Sequence, residues 1–166
     1  VWNELWAVFM AGYFGHLVPE FGARMSPSLL RYIEWGSSMS AVHYKRLEIE
    51  RTAWWHEVAR VFTNHDAILC PTMAQPPAPA RLADVPESAA VDDGLYHSDD
   101  MTSVGNLVGQ CPAISVPCGV HAGAADAGLP IGAQVVTRRW ADDVALRVGA
   151  AIEASGLYPP RRPLPI

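Results

Sequence analysis

Hydrophobic and polar positions along the chain fall into three regimes. From Val1 to Leu17 (VWNELWAVFMAGYFGHL) the sequence is apolar almost all round, with Asn3, Glu4 and His16 as the polar exceptions. A helix of that composition must be covered on most of its sides. Trp2, Trp6, Phe9 and Tyr13 recur at helical spacing and read as core or interface. The run falls short of the roughly 18 to 20 apolar residues of a membrane span and contains Gly12 and Gly15, so a buried helix is expected. A signal peptide is disfavoured, because no basic segment precedes the run and no small-residue cleavage pattern follows it.

The second regime is amphipathic. Ser26 and Pro27 form a helix start: the serine oxygen can take an orphan amide, and proline sits where no N–H is required. That helix is predicted over Pro27 to Trp35, with a stop at Gly36. Ser40 caps a longer helix, Ala41 to Phe62, in which Tyr44, Leu47, Trp54, Val58 and Val61 make an apolar stripe and Lys45, Glu48, Arg51 and Glu57 lie on other faces.

The third regime is strand-like. Ala67 to Cys70 reads as a short buried strand ending at Pro71. Ala113 to Val116 and Pro130 to Val136 are rich in β-branched residues and bounded by Gly and Pro, and the small-residue connection from Cys118 to Gly128 makes them a long-looped antiparallel pair. Asn106, Gly109 and Pro112 fix a tight approach to the first of them. A last helix begins at Asp142 or Asp143, where acidic residues suit the positive end of the helix dipole, and runs to about Ser155 before Gly156. Residues 73–100, rich in Pro, Ala and Asp, form a long loop, and residues 157–166 a surface-wrapping tail.

Composition narrows the function classes. At 166 residues the chain fits one ordinary domain. Its net charge is −5 and its basic residues are scattered, so direct nucleic-acid binding is not expected. Cys70, Cys111 and Cys118 are odd in number and form no C-x-x-C pair, which signals neither a disulfide framework nor a zinc knuckle. Reduced thiols in a cytoplasmic protein are the expectation, with Cys118 buried and inert. His97, Asp99 and Asp100 have metal-like composition but no further spaced ligand, and read as a solvated turn; His43 and His56 read as solvated surface. Neither a metal nor a cofactor is predicted. The chain opens at Val1 inside an apolar stretch, which reads as the C-terminal portion of a longer polypeptide.

The order of residues is more specific than their propensities. Thr102, then NLVG over 106–109, PAISVPCG over 112–119 and GLPIGAQ over 128–134 resemble the C-terminal signature of the amidase signature family. DAILCPT over 66–72 is similar to that family's D-x-L-L-x-P-T segment, and Asp143 and Glu153 match its closing helix. The likeness runs from about Ser26 to Gly156. It implies an α/β fold, a mixed β-sheet flanked by helices that is incomplete in this chain, and the cleavage of carboxylic amides to an acid plus ammonia or an amine.

In that family the reaction uses a serine nucleophile, a second serine in a cis peptide and a lysine, all N-terminal to the region resembled. The resemblance therefore implies no catalytic residue in this chain. The sequence GSSMS over 36–40 lacks the repeated glycines of a nucleophile loop, and Lys45, the sole lysine, follows it in mid-helix beside Arg46 and Glu48. Substrate contacts implied by position are Thr102, Asn106 and Gly109, with Asp99 in the column that holds the amino-acid part of the amide donor in the A subunits of amidotransferases. The arginine partner of that column falls at Arg31 or shifts to Tyr32. The implied partners are the N-terminal amidase half and a small-molecule amide, with no membrane, and a homodimer stays open. Beside the hydrolase stand two alternatives, an A subunit of an aspartyl/glutamyl-tRNA amidotransferase and a non-catalytic scaffold remnant.

Overall fold

The computed structural model describes residues 1–74, 101–122 and 128–158. They divide into two compact units, one holding residues 1–56 and the other the described residues from Glu57 onward.

The first unit is helical. Helix α1 spans Trp2–Phe14, and a 3-10 turn (Gly15–Leu17), the short α2 (Val18–Phe21) and a second 3-10 turn (Gly22–Arg24) carry the chain to α3, Pro27–Ser38. The apolar start is thus a helix with a helical extension, rather than one helix ending at Leu17. Ser26 caps α3 as expected, its Oγ accepting the Leu29 N–H at 3.3 Å. Helices α1 and α3 pack through Ala7, Met10, Tyr32 and Ile33, with Phe9, Leu29 and Trp35 against them.

The face that α1 buries differs from the aromatic stripe. Leu5, Ala7 and Met10 are buried, whereas Trp6 is 38% and Tyr13 67% exposed. The reason lies in α3. Gly36 does not stop that helix; it sits buried inside it, where a Cβ would collide with the Ala7 carbonyl oxygen. Backbone approach this close needs a glycine on one helix and a small residue on the other, so α1 turns Ala7 inward and leaves Trp6 and Tyr13 outward.

Helix α4, Ala41–Val61, contributes its first turns to this unit. Leu47 and Val58 of the expected stripe are buried, while Trp54 and Val61 remain exposed. His43 is not simply solvated, because its Nε2 lies 2.8 Å from Glu4 Oε1 on α1.

The second unit is a three-stranded antiparallel sheet in the order β1-β3-β2, with β1 at Ala67–Pro71, β2 at Ala113–Val120 and β3 at Pro130–Thr137. The expected antiparallel pair is there, and β1 joins it along β3. Strand β1 is less buried than expected, Leu69 being 56% exposed. Strand β2 runs four residues beyond its predicted end at Val116. It tolerates Pro117 because the register shifts between Pro117 and Gly119, and proline is admitted where a strand bulges or lies at an edge.

A short helix, α5 (Ser103–Leu107), precedes β2. Helix α6, Asp142–Ala154, covers one face of the sheet, and Gly149 lets it settle on Ile114 and Val116 of β2. The turn between β3 and α6 is tied by Thr137, whose buried hydroxyl donates to the Ala141 carbonyl at 3.0 Å. Within that turn Trp140 adopts φ 64 and is 81% exposed, with the Arg139 guanidinium 5.2 Å from its ring centroid.

Candidate functional site

The opposite face of the sheet carries a polar row. Cys70 on β1, Gln134 on β3 and Ser115 on β2 are directly opposite one another, and opposed residues of an antiparallel sheet share a face. Gln134 is 6% exposed, and its Nε2 donates to Cys70 Sγ at 3.3 Å. One step along, the hydroxyls of Thr72 and Ser115 lie 2.7 Å apart over Gly132. A Cβ on Gly132 would stand 2.9 Å from both hydroxyl oxygens, so glycine is the residue that lets them meet. The Thr72 N–H donates to the Gly132 carbonyl at 2.9 Å, and the Thr72 carbonyl in turn accepts from Met101 N–H at 3.1 Å.

That last bond delivers the chain to α5, for which the sequence carries no periodic signal. Its position explains the motif. Gly105 faces the Gln134 amide, which would be 3.7 Å from a Cβ there, and Val108, only 2% exposed, anchors the following turn. Thr102 occupies the N-cap position and its carbonyl accepts the Asn106 N–H at 2.9 Å. Thr102 is half-buried, whereas Asn106 and Gly109 are exposed. The structure therefore brings Thr102, Asn106 and Gly109 together on one helix and turn above the polar row. Asp99 lies outside the described residues.

Thr72, Ser115, Gly132 and Gln134 are visible in the sequence as motif letters but not as a site. The signal that joins them is their alternate spacing, 70 and 72, 132 and 134, which puts each pair on one face of its strand. Cys111, just before β2, has its thiol pushed up by burial.

Hydroxyls and the amine elsewhere are engaged in helix structure. Ser37 and Ser38 donate to the Ile33 and Trp35 carbonyls at 2.7 Å each, and Ser40 Oγ accepts the His43 N–H at 3.1 Å. Lys45 Nζ is 2.6 Å from Glu48 Oε2, and that hydrogen bond holds its ammonium pKa above the ordinary value. Burial, followed by the Glu48 charge, likewise raises the Tyr44 phenol. Among the described residues no three His, Cys, Asp or Glu side chains gather as metal ligands.

A cleft of about 380 Å³ opens at one end of the sheet, lined by residues that include Leu69, Cys70, Met73, Cys118, His121 and Ile131. Cys118 is thus half-buried on a cleft wall rather than sealed in the core.

Comparison with known proteins gives this arrangement a context. The family model described as Amidase matches residues 13–146. The chain belongs to the amidase family. Among curated relatives, the A subunit of the glutamyl-tRNA(Gln) amidotransferase of Lactococcus lactis subsp. lactis is 37% identical over 124 residues, covering 74% of this chain and 23% of the relative. The corresponding subunit of Brevibacillus brevis is 35% identical over 121 residues, covering 73% of this chain and 23% of the relative.

Solved amidase structures share the fold. A bacterial aryl acylamidase of the amidase signature enzymes superposes with a TM-score of 0.76 at 24% identity, covering 98% of this chain and 36% of that one. A 6-aminohexanoate cyclic dimer hydrolase complexed with substrate gives 0.67 at 21%, covering 97% and 35%. The chain thus spans about a quarter of the length of these curated relatives. The polar row and α5 lie within the matched residues; Ser37 and Ser38 are ordinary helix residues, and Ser40 caps α4. No described helix is long and apolar enough to cross a membrane.

Proposed function

We propose that this chain forms a wall and scaffold of an amide-hydrolysing active site whose nucleophile and base lie outside this sequence. The single observation that carries the reading is the contiguity of Thr72, Ser115, Gly132 and Gln134 in one polar row that Gly105 of α5 faces, the helix that holds Thr102 at its N-cap and Asn106 in its body, with Gly109 in the turn after it. Asp99 belongs to the same proposed contact set by its place in the sequence.

In the complete reaction a serine attacks the amide carbonyl while a second serine passes its proton to a neutral lysine. The proton returns through the second serine to the amide nitrogen as the C–N bond breaks, so ammonia or an amine leaves and an acyl-serine remains for water to hydrolyse. Backbone amides hold the oxyanion, and water then releases the acid. Lys45 does not suit the part of that base, since a general base must be neutral and its salt bridge favours the ammonium. The three cysteines stand as free thiols, which supports a cytoplasmic setting.

A second reading, the A subunit of an amidotransferase, is favoured by the names of the curated relatives. Under it the chain would copurify with partner subunits and tRNA. The third reading, a non-catalytic remnant, predicts that no polypeptide carrying this chain hydrolyses amides.

The test is substitution in the polypeptide that carries the reactive groups together with this chain. Asn106→Ala should lower kcat/KM for amide hydrolysis at least about tenfold, the scale of one lost positioning contact, with an unchanged far-UV spectrum. Full activity in that variant would remove the support for α5 as a substrate wall. The 166-residue chain alone should show no turnover.

A further inference from the structure

The cleft beside the polar row has a chemistry of its own. Leu69 and Pro71 of β1, Met73 beyond it, Cys118 of β2 and Ile131 of β3 contribute apolar or weakly polar walls, and none of the described lining residues is Asp, Glu, Lys or Arg. Leu69, Met73 and Ile131 remain 56%, 48% and 41% exposed, so these walls present apolar surface that a ligand could still remove from water. At about 380 Å³ the cleft falls at the small end of the ~300–1,000 Å³ span of small-molecule sites.

A cation seated there would lose water without gaining a counter-charge from any of those residues, which is costly, and an anion would meet only the His121 imidazole. A neutral apolar group would lose nothing of the kind. Cys70 and Gly132 belong both to this cleft and to the polar row, so the two are contiguous.

We propose that this cleft binds the uncharged aryl or alkyl portion of a small amide, which makes the chain selective for neutral apolar amides over charged ones such as glutamine. The assignment rests on the amide reading above for the identity of the ligand, but the binding itself needs no turnover.

The three cysteines supply the measurement. Cys70 and Cys118 line the cleft, and Cys111 does not. Alkylation of the 166-residue chain by N-ethylmaleimide, followed site by site with peptide mass spectrometry, should slow at least about threefold at Cys70 and Cys118 when acetanilide is added to near its solubility limit. The rate at Cys111 should not change, and glutamine at equal concentration should protect none of the three.

Leu69→Asp puts a charge on an exposed wall position and should abolish the protection while leaving the far-UV spectrum intact; Met73→Glu is the second variant should the first fail to fold. Unchanged rates at Cys70 and Cys118, equal protection by glutamine, or protection that survives the wall charge would each overturn the proposal. None of those results bears on Asn106, whose loss of effect in the active polypeptide would instead sink the amide reading.

Discussion

Two glycines show how a single hydrogen decides packing. At Gly36 an added Cβ meets the Ala7 backbone, and backbone in a packed helix pair cannot step aside. At Gly149 it meets the Ile114 Cδ1, the far end of a side chain that can rotate away. Gly36→Ala should therefore destabilise the helical unit by about 2–3 kcal/mol, and Gly149→Ala should cost the sheet unit about 1 kcal/mol or less, as overpacking of rigid and of compliant sites does. Urea titration of the two variants, followed by circular dichroism, checks the order.

The Glu4–His43 pair sets a pH dependence at the same scale. Its hydrogen bond to His43 holds the Glu4 carboxyl below its ordinary value of 4.5. A depressed carboxylate stabilises the fold above its unfolded pKa and loses that contribution as pH falls through the folded value. Both side chains are partly exposed, so the effect is below about 1 kcal/mol. His43→Ala should flatten the stability curve between pH 5 and 3, and a curve identical to that of the unaltered chain would show the pair to be energetically idle.

Among the elements, those with a local signal were the legible ones. Ser26 and Pro27 placed the start of α3, and the β-branched runs placed β2 and β3, because a cap and a period are written in neighbouring residues. The end of α3 was not legible, since Gly36 is conditioned by Ala7, which lies 29 positions earlier (36 − 7). Helix α5 was invisible for a related reason. Five residues with two weak formers, Gly105 and Asn106, have no helical period to detect, and what holds them is Gln134 below and Val108 behind.

The candidate site followed suit: Thr102, Asn106 and Gly109 could be named from the motif, but the polar floor beneath them appears only when β1 and β2 are laid against β3. Gly132→Ala tests that floor as an element. Forcing the Thr72 and Ser115 hydroxyls apart should cost about 1–3 kcal/mol and lower the melting temperature, with Thr72→Val a milder loss of about 1 kcal/mol for one hydrogen bond.

At the scale of the whole molecule, the outward rings of α1 matter most. Trp6, Tyr13 and Phe14 leave an exposed apolar surface on the 166-residue chain. Surfaces of this kind drive association, so sedimentation should show species larger than monomer that grow with concentration, and Tyr13→Glu should shift the distribution back toward monomer. A strictly monomeric profile at all concentrations would show that the rings are individually too scattered to matter.

The tryptophans are unevenly shared between the two units. Positions 2, 6, 35, 54 and 55 fall in residues 1–56, and the sheet unit holds only Trp140, which already stands in water on its turn. Intrinsic fluorescence during denaturation will consequently watch the helices melt while the strands remain optically silent. Any disagreement between that signal and the amide band in the far ultraviolet would time the two collapses separately, with no label attached.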